Sequence, residues 1–130
     1  MLRKDQHTFE QQLNTWIITN FVDEVYNRNN LSLIPEFVAY DCEYCLEQAV
    51  VGSIVELQMH FAYIRINQEA IFDHVEYRIQ EILTNQDIVC VKIRRIGVKM
   101  PDTEIIPDVT RWEMFQLEHG RIVRRWLARA

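Results

Sequence analysis

Five side chains of this sequence carry the chemistry for moving a proton or holding a carbonyl group: Tyr26, Tyr44, His74, Glu113 and Arg125. Glu113 is the most suggestive. A carboxyl in a dry pocket has a raised pKa and works as a general acid or base near neutral pH. Its competing role is a cross-strand ion pair. A three-residue turn before Arg121 sets Leu117 opposite Arg121, Phe115 opposite Val123, Glu113 opposite Arg125 and Trp112 opposite Trp126. Glu113 paired with Arg125 would stay ionised and structural. Tyr44 shares an inward strand face with Cys42 and Leu46, where it would donate a hydrogen bond to a ligand carbonyl. The plainer reading of such a tyrosine is a core aromatic with a satisfied hydroxyl. His74 starts a strand in the parity opposite to Val75, Tyr77 and Ile79, which points it to solvent. His60, late in a helix, would line a pocket mouth. Glu113 and Tyr44 are thus the expected catalytic pair, and Tyr26, Trp16, His60, Phe115 and Arg125 the expected substrate contacts.

These residues must be placed by one domain covering residues 1–130, long enough for a real core. Its apolar share of 48% and charged share of 25% are ordinary for a globular chain. No apolar run approaches the roughly 20 residues of a membrane span, and Met1 to His7 lacks the apolar stretch of a secretion signal. A cytoplasmic setting is therefore expected. A net charge of −5 argues against nucleic-acid binding, although Arg111, Arg121, Arg124, Arg125 and Arg129 crowd the C-terminal end. Cys42, Cys45 and Cys90 form an odd set, which points to free thiols. Cys42 and Cys45 spell a CxxC, but on a strand they face opposite sides, and no second pair completes a zinc site. Neither a metal nor a cofactor is expected.

The apolar spacing of Phe9, Leu13, Trp16, Ile17, Phe21 and Val25 predicts a helix over 5–28, covered on more than one side. Ser32 caps a short helix to about Ala39, with Pro35 in its early turns. Asp41 to Gln48 alternates as a strand. Ser53-Ile-Val-Glu56 spells a capping box for a third helix, about 53–63. Strands follow over 73–83 and 88–96, then a loop over 98–107, then a hairpin that turns at Glu118-His119-Gly120 with Gly120 at positive φ. Gly52, Gly97 and Gly120 each fall at an element boundary. Helices first, then a run of antiparallel strands, is the signature of an α+β fold.

Residues Phe21 to Tyr44 and Phe115-Gln-Leu-Glu-His-Gly-Arg-Ile-Val-Arg-Arg-Trp126 resemble the opening and closing patterns of the nuclear-transport-factor-2-like superfamily, in its SnoaL-like and ketosteroid-isomerase-like branches. The resemblance implies a cone: a strongly bent antiparallel sheet wrapped around three helices, with an apolar pocket at its mouth, a cystatin-like α+β arrangement. It implies a small apolar molecule as ligand, and acid–base isomerisation, cyclisation or dehydration as the chemistry. It also implies departures. Leu46 stands where the isomerases carry their base. Val22 stands where they carry an oxyanion-stabilising tyrosine, with Tyr26 one turn later. Glu113 alone matches in kind. The late aspartate of the cyclases has no counterpart after Trp126.

Two readings therefore stand. One is a small-molecule enzyme working through Glu113 and Tyr44. The other is a non-catalytic module that binds a ligand or a protein. A third, resemblance to the small subunit of ring-hydroxylating dioxygenases on Asp41-Cys-Glu-Tyr44, needs a large partner chain and ranks last. On the hairpin's outer face, Trp112, Met114, Ile122 and Trp126 form a cluster too apolar for water, which predicts a homodimer.

Overall fold

The computed structural model describes residues 8–99 and 104–128, and for 104–108 and 128 the backbone alone. Helix α1 spans Phe9–Phe21. It opens on a reciprocal cap, in which Gln11 N donates to Thr8 Oγ1 and Thr8 N donates to Gln11 Oε1. The chain then widens into a π-helical turn, Val22–Asn27. Asn14, Ile17, Ile18, Phe21, Val22, Val25 and Tyr26 are buried, whereas Phe9, Leu13 and Trp16 are exposed. The apolar stripe is thus narrower than its sequence spacing implied. Residues 5–7 of the expected helix lie outside the described residues.

A 3-10 turn, Leu31–Leu33, precedes the single-turn helix α2, Ile34–Phe37, with Pro35 in its first turn. No side chain caps it, so the Ser32 cap is replaced by the 3-10 turn, and Ala39 already lies in β1 (Val38–Cys45). A two-residue strand β2, Val50–Val51, leads to α3, Ile54–Ile71, whose Ser53 accepts from Glu56 N at 3.1 Å. The remaining strands are β3 (His74–Asn85), β4 (Ile88–Lys99), β5 (Glu104–Glu118) and β6 (Arg121–Ala128). The segment expected as a loop over 98–107 is mostly sheet: Val98 pairs with Ile105 and Lys99 with Glu104.

Among the described residues six strands form one open, curled sheet in the order β2-β1-β6-β5-β4-β3. It is mixed rather than wholly antiparallel, because β1 runs parallel to β6. Bulges at Ile79/Glu81, Arg95/Gly97 and Gln116/Leu117 bend it. Gly97 lies inside β4, not at a boundary, and a Cβ there would collide with the Phe72 ring. The concave face meets the helices at Phe21, whose ring centroid lies 5.5–6.3 Å from those of Tyr26, Phe37, Phe61 and Phe115. Val89, Val91 and Ile93 complete this core from β4.

The β5–β6 hairpin differs from its expected register for a local reason. His119 and Gly120 both take positive φ, +52° and +77°, which makes a two-residue turn. Leu117 then faces Ile122, and a bulge at Val123 resets the pairing to Gln116–Arg124, Phe115–Arg125, Met114–Trp126 and Glu113–Leu127. Ile122 consequently points into the core at 0% exposure. It is removed from the expected outer cluster, which leaves Trp112, Met114 and Trp126, all half-buried.

Candidate small-molecule site

A cavity of about 480 Å³ opens between the π-helical turn, α3, the end of β1 and the concave sheet. Val25, Leu46, Phe61, Ile64 and Leu127 supply its apolar walls. Tyr26, Tyr44 and Tyr77 bring phenols, and His60, Gln68, Arg65, Arg111 and Arg125 bring polar and cationic groups. Each comes from an identifiable device. The π turn presents Val25 and Tyr26 together, and such turns recur at functional sites. Tyr44 sits on β1 beside Arg125 of β6 in the parallel register. The Arg125 guanidinium lies over the Tyr44 ring, 4.5 Å from its centroid.

Beneath the cavity runs one connected polar chain. Arg125 donates to Glu113 Oε1 through Nε at 2.8 Å and Nη2 at 2.5 Å, and to the Cys45 carbonyl through Nη1 at 2.8 Å. Tyr26 donates its hydroxyl to the same Glu113 Oε1 at 2.7 Å. The Tyr26 and Tyr44 oxygens are 2.6 Å apart. Tyr26 has one proton and gives it to Glu113, so Tyr44 supplies the proton of the second bond. Burial, reinforced by Glu113, holds the Tyr26 phenol well above its ordinary pKa. Burial also pushes Tyr44 up to about 12, with Arg125 pulling the other way. Both are neutral phenols at any ordinary pH.

Glu113 is fully buried and does not line the cavity. Among the described residues its Oε2 has no hydrogen-bond partner; Arg111 Nε stands 3.7 Å away. His60 is in the opposite situation. It is half-buried, lines the cavity, and stacks within 6.2 Å of the Tyr44 ring and 5.6 Å of Phe61. Burial first, then the Arg125 and Arg111 charges, lower its pKa below the ordinary histidine value. It is therefore a neutral imidazole at pH 7.

No protein-family model matches the chain, and no curated protein does. Solved structures do match. A candidate SnoaL-like polyketide cyclase from Jannaschia sp. CCS1 superposes with a TM-score of 0.76 at 16% identity, covering 95% of this chain and 90% of that one. A candidate polyketide cyclase from Acidithiobacillus ferrooxidans gives 0.71 at 13%, covering 98% and 90%. The candidate polyketide cyclase IdmH from Streptomyces antibioticus gives 0.68 at 18%, covering 88% and 90%. The chain has the SnoaL-like fold.

In this SnoaL-like frame the expected site residues separate. Tyr26, Tyr44, His60 and Arg125 converge on the cavity, and Glu113 lies behind them. Trp16 does not take part: it is 62% exposed on the outer side of α1, away from the cavity. Phe115 is fully buried against Phe21 and does not line this cavity. His74 is exposed. Arg65, Gln68, Tyr77 and Arg111 line the SnoaL-like cavity without having been singled out. Tyr77 was visible in its parity with Val75 and Ile79. Arg65 and Gln68 were hidden because α3 runs to Ile71 rather than stopping near residue 63.

Among the described residues there is no cluster of three or more His, Cys, Asp or Glu able to hold a metal. Cys42 is buried, and burial pushes its thiol up to about 12, while Cys45 on the other strand face is half-buried. No helix among the described residues is long and apolar enough to cross a membrane.

Proposed function

We propose that the protein is an acid–base enzyme of the cyclase or isomerase kind, acting on an apolar carbonyl compound held in this cavity. The observation that carries the reading is a neutral imidazole, His60, in a cavity of mixed apolar and polar lining, where the Arg111 and Arg125 guanidinium charges act on it. A neutral imidazole can take a proton from the carbon beside a carbonyl. A fixed cation nearby lowers the energy of the enolate oxygen that forms. The candidate polyketide cyclases that share the fold support the reaction class. In this proposal the base is His60. Glu113 holds the Arg125 and Tyr26 side chains in place from behind the wall.

The test is deuterium exchange at the activated carbon of β-tetralone, followed by proton NMR in D₂O. The expected outcome is protein-dependent exchange that falls about 100-fold or more in His60→Gln, the usual scale for loss of a general base. Exchange that does not depend on the protein would overturn the reading. A binding module without turnover is favoured by one specific observation, the fully buried Glu113. It predicts that β-tetralone raises Tm equally in wild type and His60→Gln with no exchange in either.

The proposal further takes the setting as cytoplasmic and the protein as a homodimer through Trp112, Met114 and Trp126. Light scattering should give twice the monomer mass, and Trp126→Glu should return the monomer. A wild-type monomer at micromolar concentration contradicts the dimer.

A further inference from the structure

The polar chain under the cavity has a direction, and that direction selects a ligand. Glu113, bound by two guanidinium donors of Arg125, is an acceptor for the Tyr26 proton. Tyr26 therefore has only lone pairs left for Tyr44, and Tyr44 must spend its single proton on Tyr26. What Tyr44 retains at the cavity is its oxygen lone pairs. We infer that Tyr44 presents the cavity with a hydrogen-bond acceptor, so that the ligand carries a hydroxyl donor, a phenol or enol, at that point. This is the reverse of the donor role toward a ligand carbonyl that its position on β1 suggested. It rests on the proposed carbonyl-compound site and narrows it to hydroxylated carbonyl compounds, with the carbonyl toward the Arg111 side and the hydroxyl on Tyr44.

Three features keep the direction from reversing. The Arg125 side chain is itself nine-tenths or more buried and held by a third bond to the Cys45 carbonyl, so the charge that orients the chain is fixed. The two phenols are almost completely buried, which disfavours exchange of their partners for water. To donate to a ligand, Tyr44 would have to leave Tyr26 with an unfilled acceptor in a dry site.

The test uses a matched pair of probes, hydroxy-β-tetralone and its methyl ether, with affinities measured by calorimetry. The ether keeps the carbonyl and the ring but has no donor. One neutral hydrogen bond predicts a preference of about 3- to 10-fold for the hydroxyl compound in wild type. In Tyr26→Phe the Tyr44 proton is released and can turn toward the ligand, so the ratio should fall to one or below. Tyr44→Phe, which deletes the acceptor itself, should bring it to near one and keeps the question open to decision if Tyr26→Phe folds poorly. A wild-type ratio of one or less overturns the inference and leaves the carbonyl-compound site standing. A wild-type preference that persists in both variants also overturns it, because the hydroxyl is then recognised elsewhere. If neither probe binds the wild type, the site reading and this inference fail together.

Discussion

Glu113 and His60 each carry an acid–base group, yet only His60 lines the cavity, and Glu113 lies behind its wall. Glu113 lies behind the wall at 0% exposure, with one oxygen taking three donors from Arg125 and Tyr26. His60 stands in the cavity, half-buried, with the Arg125 and Arg111 charges acting on it. A residue type suited to proton transfer is not enough without access to a ligand. In the proposed reaction the carboxylate, with its donors fixed and dry, supplies geometry, and the neutral imidazole that a ligand can reach supplies the base.

The largest effect is expected on the buried side. Arg125→Met removes the two guanidinium donors of Glu113 and leaves its charge with the Tyr26 hydroxyl and Arg111 Nε at 3.7 Å; losing one half of a buried pair costs about 3–5 kcal/mol. Urea unfolding should show that loss; a change under about 1 kcal/mol would mean the floor is not the fixed structure described.

The cavity side is sharpened by Arg111, which is partly exposed and close to both groups. Burial, Arg125 and Arg111 lower the folded-state pKa of His60. The unfolded chain therefore holds more protons than the folded one between that lowered value and the ordinary histidine value of about 6.5. Stability contributed by His60 is present above about pH 6.5 and is lost as pH falls through that window. Arg111→Gln removes one of the lowering charges, so the His60 titration followed by NMR should move to higher pH. A shift to lower pH would contradict the electrostatic account.

The smallest effect belongs outside both regions. Trp16→Ser changes an exposed side chain away from the cavity. Stability should stay within about 0.5 kcal/mol, and β-tetralone binding should not change; a lost ligand would place Trp16 back at the site.

Much of the frame was legible in the residues. The closing hairpin, the turn at Gly120, the inward parity of Tyr44 and the alternation of Val89, Val91 and Ile93 all follow from period-two patterning and turn chemistry. The register of the hairpin was not legible. It depends on His119 joining Gly120 at positive φ and on one extra residue at Val123, and neither has a compositional signal. That single bulge moves Ile122 into the core and sets Arg125 opposite Phe115, from where it still reaches Glu113. The π turn was equally hidden, because a one-residue widening of a helix leaves its apolar spacing nearly intact. The sequence alone allows the pairing of Glu113 with Arg125, but its burial and its link to Tyr26 and Tyr44 are tertiary facts. The apolar cluster of Phe9, Leu13 and Trp16 shows the converse error: helical periodicity marks a stripe, and only packing says which part of it is covered.

The central claim is that His60, not Glu113, exchanges protons with the ligand. The most direct measurement is the pH profile of β-tetralone deuterium exchange in wild type and His60→Gln. The account predicts a wild-type acid limb below about pH 6.5, where the imidazole becomes protonated, and no limb with little residual exchange in His60→Gln. Exchange retained at the wild-type rate in His60→Gln would show that another group takes the proton and would contradict it.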